Sequence, residues 1–585
     1  MSIFNVFTLL GGLAFFLYGM NIMGDALERK AGSKLKSILA NLTSNTFKGF
    51  LLGLVVTAII QSSSATTVMV VGFVNSGIMN LHQAVGVIMG ANLGTSVTSW
   101  LLSLTGIEGE SFWVQILKPS SFTPLLAFIG IVMVMFIKDK SKHDTAYILI
   151  GFAVLMFGME TMSGAVEPLA ESEKFQQVLL LFSNPILGLI VGTVFTAIVQ
   201  SSSASVGILQ ALTLTGSVTY GTAIPIVMGQ NIGTCVSALI SSIGASKNAK
   251  RAAVIHLSFN LISAVICLTV YYLLYTIIGF SFVNDKASPL GIAIVHTVFK
   301  IFALMLLMPF TRQLEKLSYV IIKDNEEDKD KVSLLDERLF STPAVAVERC
   351  DNIALDMAEI SMQSLKNSMN IIFDYDDKKA EQILKDENTV DHYEDELGSY
   401  LVKLGAIGLS DSDSRDVSKL LRIIGDLERI SDHSVNILES AKEIQSKNLS
   451  FSESAKKELS VMMNAISDIL DITLDAFRND DLKKAYDVEP LEQVVDNLQN
   501  LLKKRHVSRL RKKECTIEMG FVLSDILTNL ERVSDHCSNI AICMIEIAHE
   551  SFDTHGYIQE LKHNHDKEFD ENVQKLSRKY MLESV

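Results

Sequence analysis

The stretch TAIIQSSSATT, starting at Thr57, returns as TAIVQSSSASV, starting at Thr196, 139 residues later. The same offset aligns Gly12 with Gly151, Gly19 with Gly158, Glu28 with Glu167, Gly53 with Gly192 and Gly77 with Gly216. It also lays Gly90-x-Asn92-x-Gly94-Thr95 on Gly229-x-Asn231-x-Gly233-Thr234, with no gap from Gly12 onward. A register held that long marks an internal duplication. The first half of the chain therefore has to fold as two copies of one unit.

Both copies are strongly apolar. Clear apolar segments lie near 4–24, 122–137, 145–166, 252–279 and 289–309, each close to the ~17–25 residues a membrane helix needs. Two longer stretches, near 47–104 and 186–243, are apolar but interrupted, first by QSSS and then by the glycine-rich MGANLGTSV (89–97) or MGQNIGTCV (228–236), which reads as a turn. The N-terminal MSIFNVFTLLGGLAFFLYG reads as a first membrane helix rather than a cleaved signal.

Charge gives the orientation. Residues 27–48 carry Arg29, Lys30, Lys34, Lys36 and Lys48, whereas their counterpart 166–187 carries Glu167, Glu171 and Glu173 with only Lys174. GIEGES (106–111) is acidic where GASKNAKR (244–251) is basic. By the positive-inside tendency the repeats face opposite ways. KDKSKHD (138–144), Arg312 and Lys316 then fall in the cytoplasm and the N-terminus outside.

Inverted repeats with broken helices are a secondary-transporter architecture. Irregular backbone at membrane depth is tolerated only where it lines a protein cavity. The expected site is therefore a polar midplane cavity where the repeats meet. It would be built from Gln61, Ser62, Ser63, Ser64, Gln200, Ser201, Ser202 and Ser203, with Asn92, Thr95, Asn231 and Thr234 as neighbours. Hydroxyl, amide and carbonyl oxygens suit Na⁺, and half-helix N-termini suit an anion. No P-loop lysine follows the glycines, so nucleotide binding is rejected. Glu160 is an intramembrane acid, either functional or interfacial. His256 and Asn260, in HLSFN, either face the cavity or form a structural pair.

On these motifs, residues 1–310 resemble the type II sodium–phosphate cotransporter family, which has two inverted repeats each with QSSS followed by G-x-N-x-G-T. The resemblance implies Na⁺-coupled transport of inorganic phosphate, with both QSSS motifs surrounding phosphate and sodium. Electrogenic animal members carry an aspartate where this chain reads SFWVQILKPSSFTPLLAF, without an acid. That leaves the stoichiometry open.

Beyond the first 320 residues the chain changes character. Residues 1–320 hold 17 Lys+Arg against 12 Asp+Glu, and the remainder of the 51 and 66 falls in 321–585, a net of −20. That acidity argues against nucleic-acid binding. KDNEEDKDK (323–331) reads as part of an exposed linker over 321–340. Residues 341–585 read as amphipathic helices in two bundles, about 341–450 and 451–555. Here too a segment repeats: DLERISDHSVNI (426–437) returns as NLERVSDHCSNI (529–540), and ENTVD (387–391) as EQVVD (492–496). Each is E-x-x-x-D, with both carboxylates on one helix face.

The pairs are Glu387/Asp391, Glu428/Asp432, Glu492/Asp496 and Glu531/Asp535, extended by Asn436 and Asn539. They are either metal ligands or a solvated acidic face knit by Arg429 and Arg532. This half resembles PhoU, a tandem three-helix-bundle protein of phosphate regulation. That resemblance implies iron or zinc clusters (Mg²⁺ would also suit carboxylates) on these acids, and leaves the roles of His433 and His536 open.

The expected molecule is all-α. It is a polytopic transporter with two inverted repeats (about 5–137 and 144–280), broken or re-entrant helices and an extra helix at 289–309, followed by a cytoplasmic PhoU-like tandem three-helix bundle. The expected role is a Na⁺-dependent phosphate symporter of the bacterial inner membrane, not an enzyme, with the bundle as regulator and as the place for homo-oligomer contacts. The alternatives are a phosphate exporter and a membrane-anchored phosphate sensor. A structural scaffold explains neither QSSS.

Overall fold

The computed structural model describes residues 3–40, 46–107, 111, 115–116, 118–137, 140–167, 184–323, 335–548 and 567–582. Parts of the charge-patterned stretches 106–111, 138–144 and 166–187, and most of the 323–331 run, lie outside the described residues. Among those described there is no strand, only an isolated bridge between Thr219 and Lys286. The chain divides into two units, Met1–Ala346 and Val347–Val585.

The first unit comprises α1 (Ile3–Ala40), α2 (Thr46–Ile60), α3 (Ser63–Asn75), α4 (Leu81–Ser103), α5 (Pro119–Phe136) and α6 (Lys140–Val166). There follow α7 (Pro185–Val199), α8 (Ser202–Thr213), α9 (Tyr220–Gly233), α10 (Cys235–Ser241), α11 (Lys247–Ile278), α12 (Pro289–Leu307) and α13 (Thr311–Ile321). Their boundaries follow local chemistry. Asn80 and Gln83 form a capping box at the start of α4, and Asn184-Pro185 and Ser288-Pro289 open α7 and α12.

Among the described residues, seven helical stretches are long and apolar enough to span a membrane. Their outer faces carry Phe4, Phe128, Phe136 and Ile277, all exposed, as lipid-facing side chains are. The 15-residue α2 and 13-residue α3 are different. At ~1.5 Å per residue each reaches only about 20 Å, short of the ~30 Å hydrocarbon layer. Together they make a helical hairpin that enters and returns at one face. The pair α7 and α8 repeats it. Among the described residues, three helices long and apolar enough to span, α4, α5 and α6, separate the hairpins. An odd number of crossings would place the two hairpins on opposite faces, as the flanking charges predict.

Close backbone contact holds each repeat together. A Cβ at Gly53 would collide with the Val87 carbonyl and one at Gly90 with the Phe50 carbonyl; Gly192 and Gly229 repeat this against Ile226 and Leu189. This corrects one expectation. The glycines of G-x-N-x-G-T are small-residue packing positions, not a turn. In repeat 1 the motif lies inside the unbroken α4, while in repeat 2 the helix breaks at Thr234, between α9 and α10. The first helices of the repeats, α1 and α6, cross through Gly12, Gly19, Gly151 and Gly158, with Phe16, Leu155, Met159 and Met162 buried around them.

The second unit contains α14 (Pro343–Ile371), α15 (Asp377–Gly405), α16 (Asp411–Ser446), α17 (Glu453–Asn479), α18 (Leu482–Arg511) and α19 (Ile517–Ala548), then α20 (Lys567–Lys579). Asp376, Ser410, Ser452 and Asp481 cap four of them. Two consecutive three-helix sets result, joined where α16 packs on α19. The stretch expected as linker is partly built structure: α13 occupies its start and a 3-10 turn, Glu337–Ser341, its end.

Gly90→Ala is expected to destabilise the protein by about 3 kcal/mol, because the new methyl meets backbone that cannot retreat. Gly11→Ala, where a Cβ meets nothing within 4 Å, should stay within ~0.5 kcal/mol of the parent. Thermal unfolding of the detergent-solubilised protein checks the pair.

Candidate functional site

Each hairpin turns at its glutamine. Gln61 and Gln200 sit in the left-handed region at φ 60° and 55°, a conformation that costs a non-glycine residue of order 1 kcal/mol and concentrates at functional sites. The Gln61 amide is tied down on both ends. Its Nε2 donates to the Ala58 carbonyl at 2.5 Å, and its Oε1 accepts from Thr98 Oγ1 at 2.9 Å. The next serine in each motif is an N-cap: Ser62 Oγ accepts from Ala65 N, and Ser201 Oγ from Ala204 N. Behind them Thr57 bonds Thr66 at 3.0 Å, and their counterparts Thr196 and Ser205 bond at 2.7 Å. The two breaks are thus built by the same local bonds.

Both motifs line one cavity of about 450 Å³: Gln61, Ser62, Ser63 and Ser64 from one repeat, Gln200, Ser201, Ser202 and Ser203 from the other. Ser64 Oγ lies 3.5 Å from the Gln200 carbonyl across the pseudo-symmetric junction. The N-termini of α3 and α8 therefore converge, each with unsatisfied N–H groups and partial positive charge. Sequence reasoning overlooked the remaining wall. Asn21, Asp25 and Glu28 of α1 line the same cavity, and their i, i+4, i+7 spacing in an apolar helix was the available signal. Ser341 lines it too. The arrangement offers hydroxyl and N–H donors for an oxyanion beside carboxylate and carbonyl oxygens for a cation.

The residues expected as neighbours pack behind the motifs, with Gly94 against Thr57 and Gly233 against Thr196. Asn92, Thr95, Asn231 and Thr234 do not line this cavity. Asn92 Nδ2 donates to Asn260 Oδ1 at 2.6 Å, and Asn260 Nδ2 to the His256 carbonyl at 3.1 Å. Asn231 instead turns back on Val227 O, while Thr95 and Thr234 bond their own helices. Glu160 is exposed and lines no part of the cavity. A lysine in the apolar run TVFKIFALMLL completes the Asn92 network: Lys300, 4 % exposed, donates to the Asn92 carbonyl at 2.7 Å. Nothing in the repeat pattern singles it out.

In the second unit two acidic triplets form, Glu387–Asp391–Asp432 and Glu492–Asp496–Asp535, each with ligand atoms within 4.8 Å of one another. Burial first, and then neighbouring carboxylates, raise the Glu387, Asp391 and Asp535 acids above the ordinary range. Glu428 and Glu531 flank the triplets and are raised for the same reasons. The histidines are engaged otherwise. His433 Nδ1 meets Asn529 Oδ1 at 2.7 Å, His536 Nδ1 meets Asp426 Oδ1 at 2.8 Å, and the rings lie 5.6 Å apart.

Comparison with known proteins falls on these two units. The family model described as Na+/Pi-cotransporter matches residues 15–164 and again 154–308; that described as PhoU domain matches 354–441 and 459–544. The chain is 23% identical over 549 residues to YjbB of Escherichia coli K12, 92% of this chain and 97% of that protein, whose name provisionally assigns it inorganic phosphate export. It is 28% identical over 313 residues to YqeW of Bacillus subtilis, 53% of this chain and 96% of the other. It is 35% identical over 105 residues to the human sodium-dependent phosphate transport protein 2B, 18% and 15% of the respective chains. Among solved structures, PhoU from Pseudomonas aeruginosa is 21% identical, with TM-score 0.34, over 36% of this chain and all of that one.

Raised acids bind protons more tightly in the folded than in the unfolded state, so metal-free folding gains stability as pH falls through their range and loses it as pH rises. Asp391→Asn is therefore expected to raise the metal-free thermal midpoint at neutral pH and to flatten this pH dependence. Calorimetry of the full chain in chelator-treated buffer reads both.

Proposed function

We propose that this chain, which belongs to the Na+/Pi-cotransporter family and carries a PhoU domain, moves inorganic phosphate across the bacterial inner membrane together with Na⁺. The observation that carries the proposal is the convergence of two inverted QSSS helix N-termini on one cavity that also holds Asp25 and Glu28. The serine hydroxyls and first-turn N–H groups of α3 and α8 would hold the phosphate oxygens. The nearby carboxylates repel that anion. A cation between them removes the repulsion, so phosphate and Na⁺ bind together more favourably than either alone. That mutual dependence is the coupling free energy a symporter needs. Alternating access would come from movement of one repeat against the other around this site. The first hairpin's face, which carries Arg29 and Lys30, would be cytoplasmic, with the PhoU-like unit on that side.

The YjbB name supports export as the second reading, with the same site run by a different gradient. A sensor that binds phosphate without flux is the third.

The PhoU-like triplets have the chemistry for a metal. Three carboxylates with oxygens within 4.8 Å of one another repel, a cation relieves that repulsion, and oxygen ligands suit Mg²⁺ and iron, with zinc less favoured. Glu387, Asp391 and Asp432 would hold one centre and Glu492, Asp496 and Asp535 the other, with Glu428 and Glu531 beside them. Homo-oligomer contacts would use the PhoU-like unit.

Radiolabelled phosphate flux into proteoliposomes tests the transport reading. An inward Na⁺ gradient should drive uptake that a K⁺ gradient does not, and Ser63→Ala and Ser202→Ala should each lower it more than about tenfold, the loss of one charge-assisted hydrogen bond. Glu28→Gln should raise the Na⁺ concentration needed for half-maximal rate. Phosphate binding without flux would establish the sensor, and flux only down an outward gradient the exporter. Elemental analysis of the purified chain should find metal that the Asp432→Asn, Asp535→Asn double variant lacks.

A further inference from the structure

The short turn Glu337–Ser341 is packed on the transport unit and touches both repeats. Asp336, 4 % exposed, accepts from Asn75 Nδ2 at 2.7 Å, and Asn75 Oδ1 in turn accepts from Ser246 N, at the start of α11, at 2.7 Å. Arg338 pairs with Asp336 at 2.9 Å and donates to the carbonyls of Ser241 at 2.5 Å and Ile243 at 3.1 Å. Leu339 is fully buried, and its side chain fills the space a Cβ at Gly72 would need. Two residues later Ser341 lines the QSSS cavity.

What is gripped gives these bonds meaning. Asn75 is the last residue of α3, whose first residues are the repeat-1 QSSS serines. Ser241 is the last residue of α10, which starts directly after the repeat-2 G-x-N-x-G-T motif. One Asp-x-Arg element thus ties the far end of the repeat-1 site helix to the end of a repeat-2 helix. Counting crossings agrees with the bonds: three spanning stretches follow the second hairpin, which returns the chain to the face of the first.

We propose that Asp336 and Arg338 are positioning residues forming a releasable clamp across the two repeats. The clamp holds the cavity in the conformation seen here and slows its turnover. The turn runs into α14, which begins at Pro343 and continues as the first helix of the second unit. A change in that unit therefore has a direct covalent route to the clamp. This rests on the transport reading, because a clamp between repeats matters only if they move.

The test uses the full chain in proteoliposomes. Asp336→Ala and Arg338→Ala should each raise the maximal phosphate flux roughly tenfold, as loss of one charged hydrogen bond would, with the phosphate concentration at half-maximal rate changed less. A merely structural role predicts loss of flux instead. The second variant is Arg338→Lys, which keeps a positive charge beside Asp336 but cannot fork to the carbonyls of Ser241 and Ile243; its flux should fall between those of the parent and Arg338→Ala. Unchanged or lost flux in both alanine variants overturns the clamp. If the parent chain carries no phosphate, the transport reading fails by itself. The clamp is then judged by the maleimide labelling rate of Ser64→Cys: faster when Arg338→Ala is added supports it, equal rates overturn it.

Discussion

An unpaired peptide group has no partner in hydrocarbon, and everything distinctive in the first unit follows from breaking two helices there. The break at Gln61 leaves carbonyls at the end of α2 and N–H groups at the start of α3 facing each other's region, and Gln200 repeats this between α7 and α8. Such ends survive only when they share a polar cavity. Placing both breaks at one cavity satisfies them together. It also concentrates hydroxyls and helix dipoles where an oxyanion can use them.

The left-handed glutamines show how tightly this is held. A conformation that an isolated residue avoids persists because Ser62 and Ser201 cap the following helix and Thr57–Thr66 and Thr196–Ser205 lock the preceding one. Glycine zippers between α2 and α4 and between α7 and α9 hold each hairpin against its neighbouring helix.

The duplication is not used symmetrically. The Asn92 side chain donates directly to Asn260 in a buried network with His256 and Lys300, while the side chain of its counterpart Asn231 donates to its own helix and reaches that network only through its carbonyl and Cys235. Acids line the cavity from the repeat-1 helix α1; the residue matching Asn21 in repeat 2 is Glu160, which is exposed. Inversion gives the transporter two faces, and these departures from it give the faces different chemistry. In the second unit the duplicated acids likewise gather into two triplets, while the histidines after them pair with Asn529 and Asp426 across α16 and α19.

Much of this was legible in the sequence because it is local or periodic. A fixed offset of 139, apolar runs of membrane length, alternating flanking charge and E-x-x-x-D spacing each report on a helix or a repeat, and each needs only neighbouring residues to be read. The QSSS serines belong to this class, since their residue types make no sense against lipid. The rest depended on which distant elements meet. Asp25 and Glu28 sit on a helix that only crossing geometry brings to the QSSS motifs. The G-x-N-x-G-T glycines look like a turn in one dimension, yet serve close helix packing in three. Asp336 and Arg338 lie in a stretch whose composition reads as linker, because the carbonyls and amide they grip are roughly 90 to 260 positions away and backbone partners carry no sequence signature. Residue chemistry and periodicity fixed the elements and the kind of site. Tertiary contact alone decided which side chains share it.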